Sequence, residues 1–146
     1  MTRSRTCEPL AVSEYVFDSS ALVEIFVGAS PDAELRRRAL TGVNSAPELI
    51  DLEGAQTIRR FVRSGQISSA HGRAALNQVR DAPLTRVAHR ALLDRVWELR
   101  DSITAYDASY IALAEQLGVP LLTCDAHLGR AHGHDAEVII YRTSTS

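Results

Sequence analysis

The sequence predicts an α/β fold in which five strands form a parallel sheet covered by helices on both faces. Three observations point there. Short apolar runs alternate with segments of helical periodicity along almost the whole chain. Five such runs separated by helices are the pattern of a parallel sheet buried on both sides. Two of the runs, Tyr15-Val16-Phe17-Asp18 and Leu121-Leu122-Thr123-Cys124-Asp125, end in an aspartate that opens into helix-like sequence. Open α/β sheets gather ligands where strands end in this way.

The elements follow in order. Residues 1–13 are polar, carry Pro9 and show no periodicity, so they are expected to form a loose tail ahead of one domain over 14–146. Glu14–Phe17 reads as a strand and Ser19–Val27 as a helix ended by Gly28. Ser30-Pro31-Asp32 has the form of a helix start, with Ser30 as the cap, proline in the first turn and then an acid. The helix over 33–40 stops at Gly42. Residues 43–46 form a short strand, and Pro47 opens a long helix to Arg63. A further helix covers 68–80, Leu84–Val87 is a strand, and a helix follows over 89–100. Tyr106, Tyr110, Leu113 and Leu117 repeat at helical spacing up to Gly118. Residues 120–123 form a buried strand, 126–131 a short helix and 137–141 a closing strand.

Bulk properties narrow the function classes. At 146 residues the chain is long enough for a full core. Its 45% apolar and 23% charged residues are those of an ordinary globular protein. No apolar stretch reaches the length of a membrane span, and no hydrophobic run follows Arg3 and Arg5, so neither a membrane segment nor a secretory signal is expected. Cys7 and Cys124 make no disulfide framework, and a reducing cytoplasm is the expected setting. All sixteen basic side chains are arginine. Nine of them lie in residues 54–100 against three acids, whereas 101–125 holds four acids and no base. The basic stretch is either a set of solvated helix faces or a surface for a polyanion.

Each acid has a structural explanation of its own. Asp18 and Asp125 suit helix N-caps, and Asp107 suits the dipole at the start of its helix. Together they say more. Asp18 and Asp125 leave the carboxyl ends of two strands that meet at the switch point of a doubly wound sheet if the first and fourth strands are neighbours. Asp107 sits in an otherwise apolar helix. Carboxylates within about 4 Å of one another repel by several kcal/mol at the effective dielectric of a protein surface, unless protonated or neutralised by a cation. A hard divalent ion suits oxygen ligands, keeps several waters and can activate one of them. Glu48, Asp51 and Glu53 offer a fourth acid within two turns; Glu48, in the early turn, is best explained as a dipole partner, and spacing does not choose between Asp51 and Glu53.

These residues resemble the PIN-domain family, and within it the VapC-type toxins of bacterial toxin–antitoxin pairs. The resemblance runs from about residue 15 to 141. Val16-Phe17-Asp18-Ser19-Ser20-Ala21-Leu22 is similar to the family's opening D-x-S motif. Ala46-Pro47-Glu48-Leu49-Ile50-Asp51-Leu52-Glu53 is similar to its A-P-x-L…E segment, whose acid falls on Glu53. Thr104-Ala105-Tyr106-Asp107-Ala108-Ser109-Tyr110 is the most specific match, and Leu121-Leu122-Thr123-Cys124-Asp125-Ala126-His127-Leu128 resembles T-x-D-x-x-L. The resemblance implies a three-layer α/β/α sandwich with strand order 3-2-1-4-5. It implies an endoribonuclease dependent on Mg²⁺ or Mn²⁺, with one or two ions held by Asp18, Glu53, Asp107 and Asp125. Ser20 and Thr123 would be supporting hydroxyls. It also implies a homodimer, a cognate VapB antitoxin and a toxin–antitoxin hetero-oligomer. Arg59 and Arg60 are the first candidates for the RNA backbone.

Other sites are weaker. His127, His132 and His134 fit no common zinc spacing and are expected in a solvated loop. Cys124 is expected to be a small buried residue and Trp97 a core residue. A phospho-accepting receiver also places acids at strand ends, but that chemistry uses a lysine, which this chain lacks. A catalytically silent PIN scaffold is the remaining competitor.

Overall fold

The computed structural model describes residues 12–144. The expected tail therefore falls outside the described residues except for Val12 and Ser13, which precede the first strand without regular structure. β1 (Glu14–Phe17) is followed through Asp18 by α1 (Ser19–Val27). α2 (Ala33–Thr41) and β2 (Val43–Pro47) come next, then α3 (Ile50–Arg63) and α4 (Ser69–Asp81). β3 (Leu84–Val87) leads into a 3₁₀ turn (His89–Leu92), α5 (Leu93–Glu98) and α6 (Ala105–Leu117). β4 (Leu121–Thr123), α7 (Ala126–Gly129) and β5 (Val138–Ile140) complete the order.

The sheet runs β3-β2-β1-β4-β5 with every neighbouring pair parallel. Val16 lies opposite Leu121 and Phe17 opposite Leu122. Successive strand residues face opposite sides, yet Val16, Phe17, Leu121, Leu122 and Thr123 are all fully buried. Both faces are therefore covered, as continuous apolar strands require. α1, α3 and α4 pack on one another, while α5 packs on α6, which lies against β1, β2 and β4. The first and fourth strands are adjacent, so the switch point lies between them.

Local chemistry explains where the boundaries moved. Pro47 does not open α3: it pairs opposite Val87, and the Glu48 N–H extends the ladder to the Val87 carbonyl at 2.8 Å. Asp32, not Ser30, caps α2, its Oδ1 accepting from the Glu34 and Leu35 N–H groups at 2.8 and 3.2 Å. The Ser30 N–H is instead donated to the Ser144 hydroxyl. The helix expected over 89–100 begins as a 3₁₀ turn and closes where the Leu99 N–H meets the carbonyls of Arg95 and Val96. Its buried stripe is Leu92, Val96 and Leu99, which leaves Trp97 off the stripe and 68% exposed, against expectation.

α6 is the central helix. Thr104 caps its start by accepting the Asp107 N–H, and Gly118 closes it in the left-handed region at φ 65°. Every residue from Ala108 through Ala114 is buried, so this stretch is covered on all sides. Tyr106 and Leu117, which share the helical spacing of Tyr110 and Leu113, fall outside that stretch and are 66% and 43% exposed. Leu113→Ala should therefore lower stability by about 2–5 kcal/mol, and Leu117→Ala by about 1 kcal/mol or less. Urea unfolding of both variants checks this; equal losses would mean that the two ends of α6 are packed alike.

Candidate active site

β1 and β4 end side by side, and their last residues make one hydrogen-bonded unit. Asp18 stands at the N-cap of α1, but its side chain makes no cap hydrogen bond. Instead Asp18 Oδ2 accepts from the Ser20 hydroxyl at 2.6 Å and the Thr123 hydroxyl at 2.7 Å. Those hydroxyls in turn accept backbone N–H groups from the β4 end, Cys124 to Ser20 and Asp125 to Thr123, each at 2.9 Å. Asp18 is 4% exposed. Burial pushes its carboxyl above the ordinary carboxylate range, against the hydrogen bonds from Ser20, Thr123 and the Ser19 backbone; the nearby Asp125 charge adds to the rise.

The other acids arrive from three elements. Asp125 caps α7, with Oδ1 accepting the His127 N–H at 2.8 Å, so its structural explanation holds for one oxygen. Asp107 occupies the first turn of α6 and is raised by burial and then by the charges of Asp18 and Asp125, opposed by the Thr104 hydroxyl and His127. Glu53 comes from α3 and accepts the Tyr110 phenol at 2.5 Å on Oε1. Burial raises Glu53 most, Tyr110 lowers it, and Asp18 and Asp107 raise it further. Burial, with the same contact, drives the Tyr110 pKa strongly upward, which keeps its proton in place as a donor.

The structure separates the three acids of this segment, including the two that spacing left open. Asp51 turns toward β3, where Arg86 Nε holds it at 2.8 Å, and Glu48 faces His89 at 3.5 Å. Glu53 alone of the three joins Asp18, Asp107 and Asp125 along a cleft of about 510 Å³. Gln56, Thr57 and Arg60 line the same cleft from α3, which is the face three, four and seven residues beyond Glu53. Arg60 is thus brought to the acids, while its neighbour Arg59 is exposed and outside the cleft lining. Ser20 lines the cleft and Thr123 lies fully buried behind Asp18. Tyr110 is hidden in the sequence as one more apolar repeat of α6; its place three residues after Asp107, on the same helical face, is the signal that marks it. Leu52, 77% exposed, and Tyr106 flank the opening.

The donor set is all oxygen, and three of its members are pushed upward partly by one another's charge. That chemistry suits a hard divalent ion. As placed, no group of three or more His, Cys, Asp or Glu side chains among the described residues closes into a ready-made ligand cage. The two facts agree for an ion of the Mg²⁺ type, which keeps several waters and needs only one or two carboxylates directly. The three histidines form no such group either, with His127 and His132 exposed. Cys124 is half-buried, and burial with the Glu24 and Asp18 charges pushes its thiol up to about 12, leaving it un-ionised at neutral pH.

Comparison with known proteins matches this arrangement to one family. A family model described as PIN domain matches residues 15–133. Ribonuclease VapC1 of Mycobacterium tuberculosis (strain ATCC 25618 / H37Rv) is 38% identical over 133 residues, which is 90% of this chain and 100% of that protein. Ribonuclease VapC12 of the same strain is 37% identical over 123 residues, 84% of this chain and 95% of that one. Of solved structures, PAE2754 from Pyrobaculum aerophilum has a TM-score of 0.63 at 23% identity, covering 86% of this chain and 92% of its own. VapBC2 from Rickettsia felis, bound to a DNA fragment from their promoter, has a TM-score of 0.62 at 14% identity, with 88% and 98% covered. At those identities the two structures speak for the fold alone.

The raised carboxyls set a pH dependence. A group whose pKa is raised by folding supports the folded state fully at low pH, and that support is lost as pH rises through the folded value. Asp18, Glu53 and Asp107 are all raised. With EDTA present, stability should therefore fall as pH climbs above about 4, the ordinary carboxylate value. Asp107→Asn is expected to unfold at a higher temperature than wild type at pH 7, with the gap closing near pH 4. A variant melting at or below wild type at pH 7 would show that the clustered charge imposes no burden.

Proposed function

The chain belongs to the PIN-domain family, in its VapC-type ribonuclease branch, and from that premise we propose that it is a toxin endoribonuclease hydrolysing RNA phosphodiesters with Mg²⁺ or Mn²⁺. The observation that carries this reading is the convergence of Asp18, Glu53, Asp107 and Asp125 on one cleft, from four separate elements, with no basic side chain hydrogen-bonded to any of them among the described residues.

Asp18, Asp107 and Asp125 would hold the ion, and Glu53 would ligate it or position the attacking water. When bound, the ion would lower the pKa of a water and offset charge building on the phosphoryl oxygens. The protein's own groups have defined tasks around it. Ser20 and Thr123 donate both their hydroxyl protons to Asp18 Oδ2, which favours the ionised carboxylate despite its burial. Tyr110 pins Glu53 by Oε1 and leaves Oε2 without a protein donor among the described residues. The upward shift of Glu53 brings it nearer the operating pH, where a carboxylate is a better acceptor for the water's proton. Arg60, on the same cleft wall, would hold a phosphate of the strand.

A VapB-type antitoxin is the proposed partner, in keeping with the VapC-type relatives; the Rickettsia felis neighbour, similar in fold, is a VapBC protein. A basic side chain of that partner, entering the cleft, would take the place of the cation. A homodimer, the toxin–antitoxin hetero-oligomer and a cytoplasmic setting belong to the same proposal. Among the described residues no helix is long and apolar enough to cross a membrane. The lack of a ready-made ligand cage among the described residues fits a silent scaffold as well as a site for a Mg²⁺-type ion. Calorimetric titration with Mg²⁺ separates the two readings, because a scaffold would bind the ion weakly or not at all.

RNA cleavage in Mg²⁺ tests the assignment. Ser20→Ala, which removes a hydrogen bond to a metal-site carboxylate, should cost roughly 10–100-fold in activity. Asp18→Asn and Asp107→Asn should cost more, and EDTA should abolish cleavage. Full activity in either Asn variant would falsify the proposed roles.

A further inference from the structure

The acids are not at the end of their cleft. Asp107 and Asp125 also form the near wall of a second hollow, about 610 Å³, whose lining does not include Arg60. Its other charged walls are Arg100 and Asp101, from the segment between α5 and α6, and His127 and Arg130, from α7 and its end. Ser102 and Thr104 add hydroxyls.

Two arginines there are held in place without being neutralised. Arg100 donates to the Trp97 carbonyl at 2.9 Å and lies 4.8 Å from the centre of the exposed Trp97 ring. Arg130 meets His127 Nδ1 at 3.2 Å. The arginine ion pairs among the described residues use Arg38, Arg80, Arg86 and Arg95, so Arg100 and Arg130 keep their charge for an outside partner. A guanidinium stacked on an aromatic face loses less freedom when it binds an anion, because its plane is already set. The acid wall shared by the two hollows thus has an unpaired arginine in one of them, Arg60, and two in the other.

We infer that the hollow bounded by Arg100, His127 and Arg130 is the second arm of the substrate track: single-stranded RNA crosses the acids, with phosphates on the far side of the scissile bond held by Arg100 and Arg130. The occupant follows from charge and shape. Cations spaced along an open groove suit a polyanionic backbone, as in grooves that track single strands. Three acids in the walls (Asp101, Asp107 and Asp125) would exclude a lone small anion unless a cation covers them, whereas a continuous strand is anchored on both sides. The inference rests on the ribonuclease reading, and it extends the contact residues beyond the sequence interval 54–100 to Arg130.

The test is fluorescence anisotropy of a labelled single-stranded RNA in EDTA, which prevents cleavage, across a range of salt concentrations. Arg100→Gln with Arg130→Gln should weaken binding and make the slope of log affinity against log salt shallower by about 1.4, from ~0.7 for each phosphate that is no longer neutralised on a single strand. Arg73→Gln with Arg142→Gln, which removes two exposed arginines elsewhere, should leave the slope unchanged. Urea unfolding of each double variant confirms that the fold is retained. An unchanged slope in Arg100→Gln/Arg130→Gln, or the same weakening in the control pair, overturns the second arm. Cleavage by wild type in Mg²⁺ is scored separately. A shallower slope with no Mg²⁺-dependent cleavage would remove the ribonuclease reading and keep the arm as an RNA-binding surface.

Discussion

The pair of hydroxyl contacts on Asp18 Oδ2 is the constraint on which the rest of the site depends. Ser20 belongs to the start of α1 and Thr123 to the end of β4, more than a hundred residues apart in sequence. Both reach the same carboxylate oxygen only if β1 and β4 are neighbours in register, with Phe17 opposite Leu122. The ladder fixes that register through the Asp18 N–H, which meets the Leu122 carbonyl at 3.0 Å. A slip of one residue would turn Thr123 to the opposite face and leave a buried carboxylate without its Thr123 donor. The sheet order, the burial of both strand faces and the position of the acids are therefore parts of one arrangement.

The raised carboxyls predict that this arrangement carries a stability burden at neutral pH. Asp18 holds its carboxyl in a place from which water is almost excluded, and Glu53 and Asp107 add their fields to the same cleft. The chain manages the neighbouring acids differently. Asp51 is neutralised by Arg86, whose guanidinium also satisfies carbonyls at the end of α4, including Val79 at 2.7 Å. Glu115 is neutralised by Arg95, which lowers its pKa. The acids on the cleft receive hydroxyls and backbone N–H groups but no counter-ion from the described residues. Concentrating unpaired charge in one place while pairing it elsewhere is the usual trade between stability and activity.

Much of this is legible in the sequence, and the parts that are not have physical reasons. The strand positions and the parallel order implied by the family resemblance match the structure, which also brings Asp18, Glu53, Asp107 and Asp125 to one cleft. What sequence spacing does not carry is long-range pairing. Asp51 and Glu53 differ because Arg86, 35 residues from Asp51, captures one of them, and no local pattern announces that. Asp18 and Asp125 look identical as helix caps, yet only Asp125 caps, because Ser20 and Thr123 take Asp18 away. Trp97 departs from expectation for a different reason, and Tyr106 is exposed for the same one. An aromatic residue implies burial on average, but the buried stripes run through Leu92, Val96 and Leu99 and through residues 108–114. Arg60 and Arg59 are separated simply by helical phase from Glu53.

The hydroxyl pair also gives the Asp18 carboxyl two unlike ends. Ser20 and Thr123 each have a single proton and direct it to Oδ2, while each accepts a backbone N–H from the strand behind. Adding a proton to Oδ2 would force one hydroxyl to swing away and give up its bond. A proton taken up by Asp18 therefore settles on Oδ1 at the least cost. The chain of donors running from the β4 backbone to Asp18 thus has a fixed polarity, and it makes Oδ2 a structural anchor while Oδ1 is the oxygen that no side-chain hydroxyl holds.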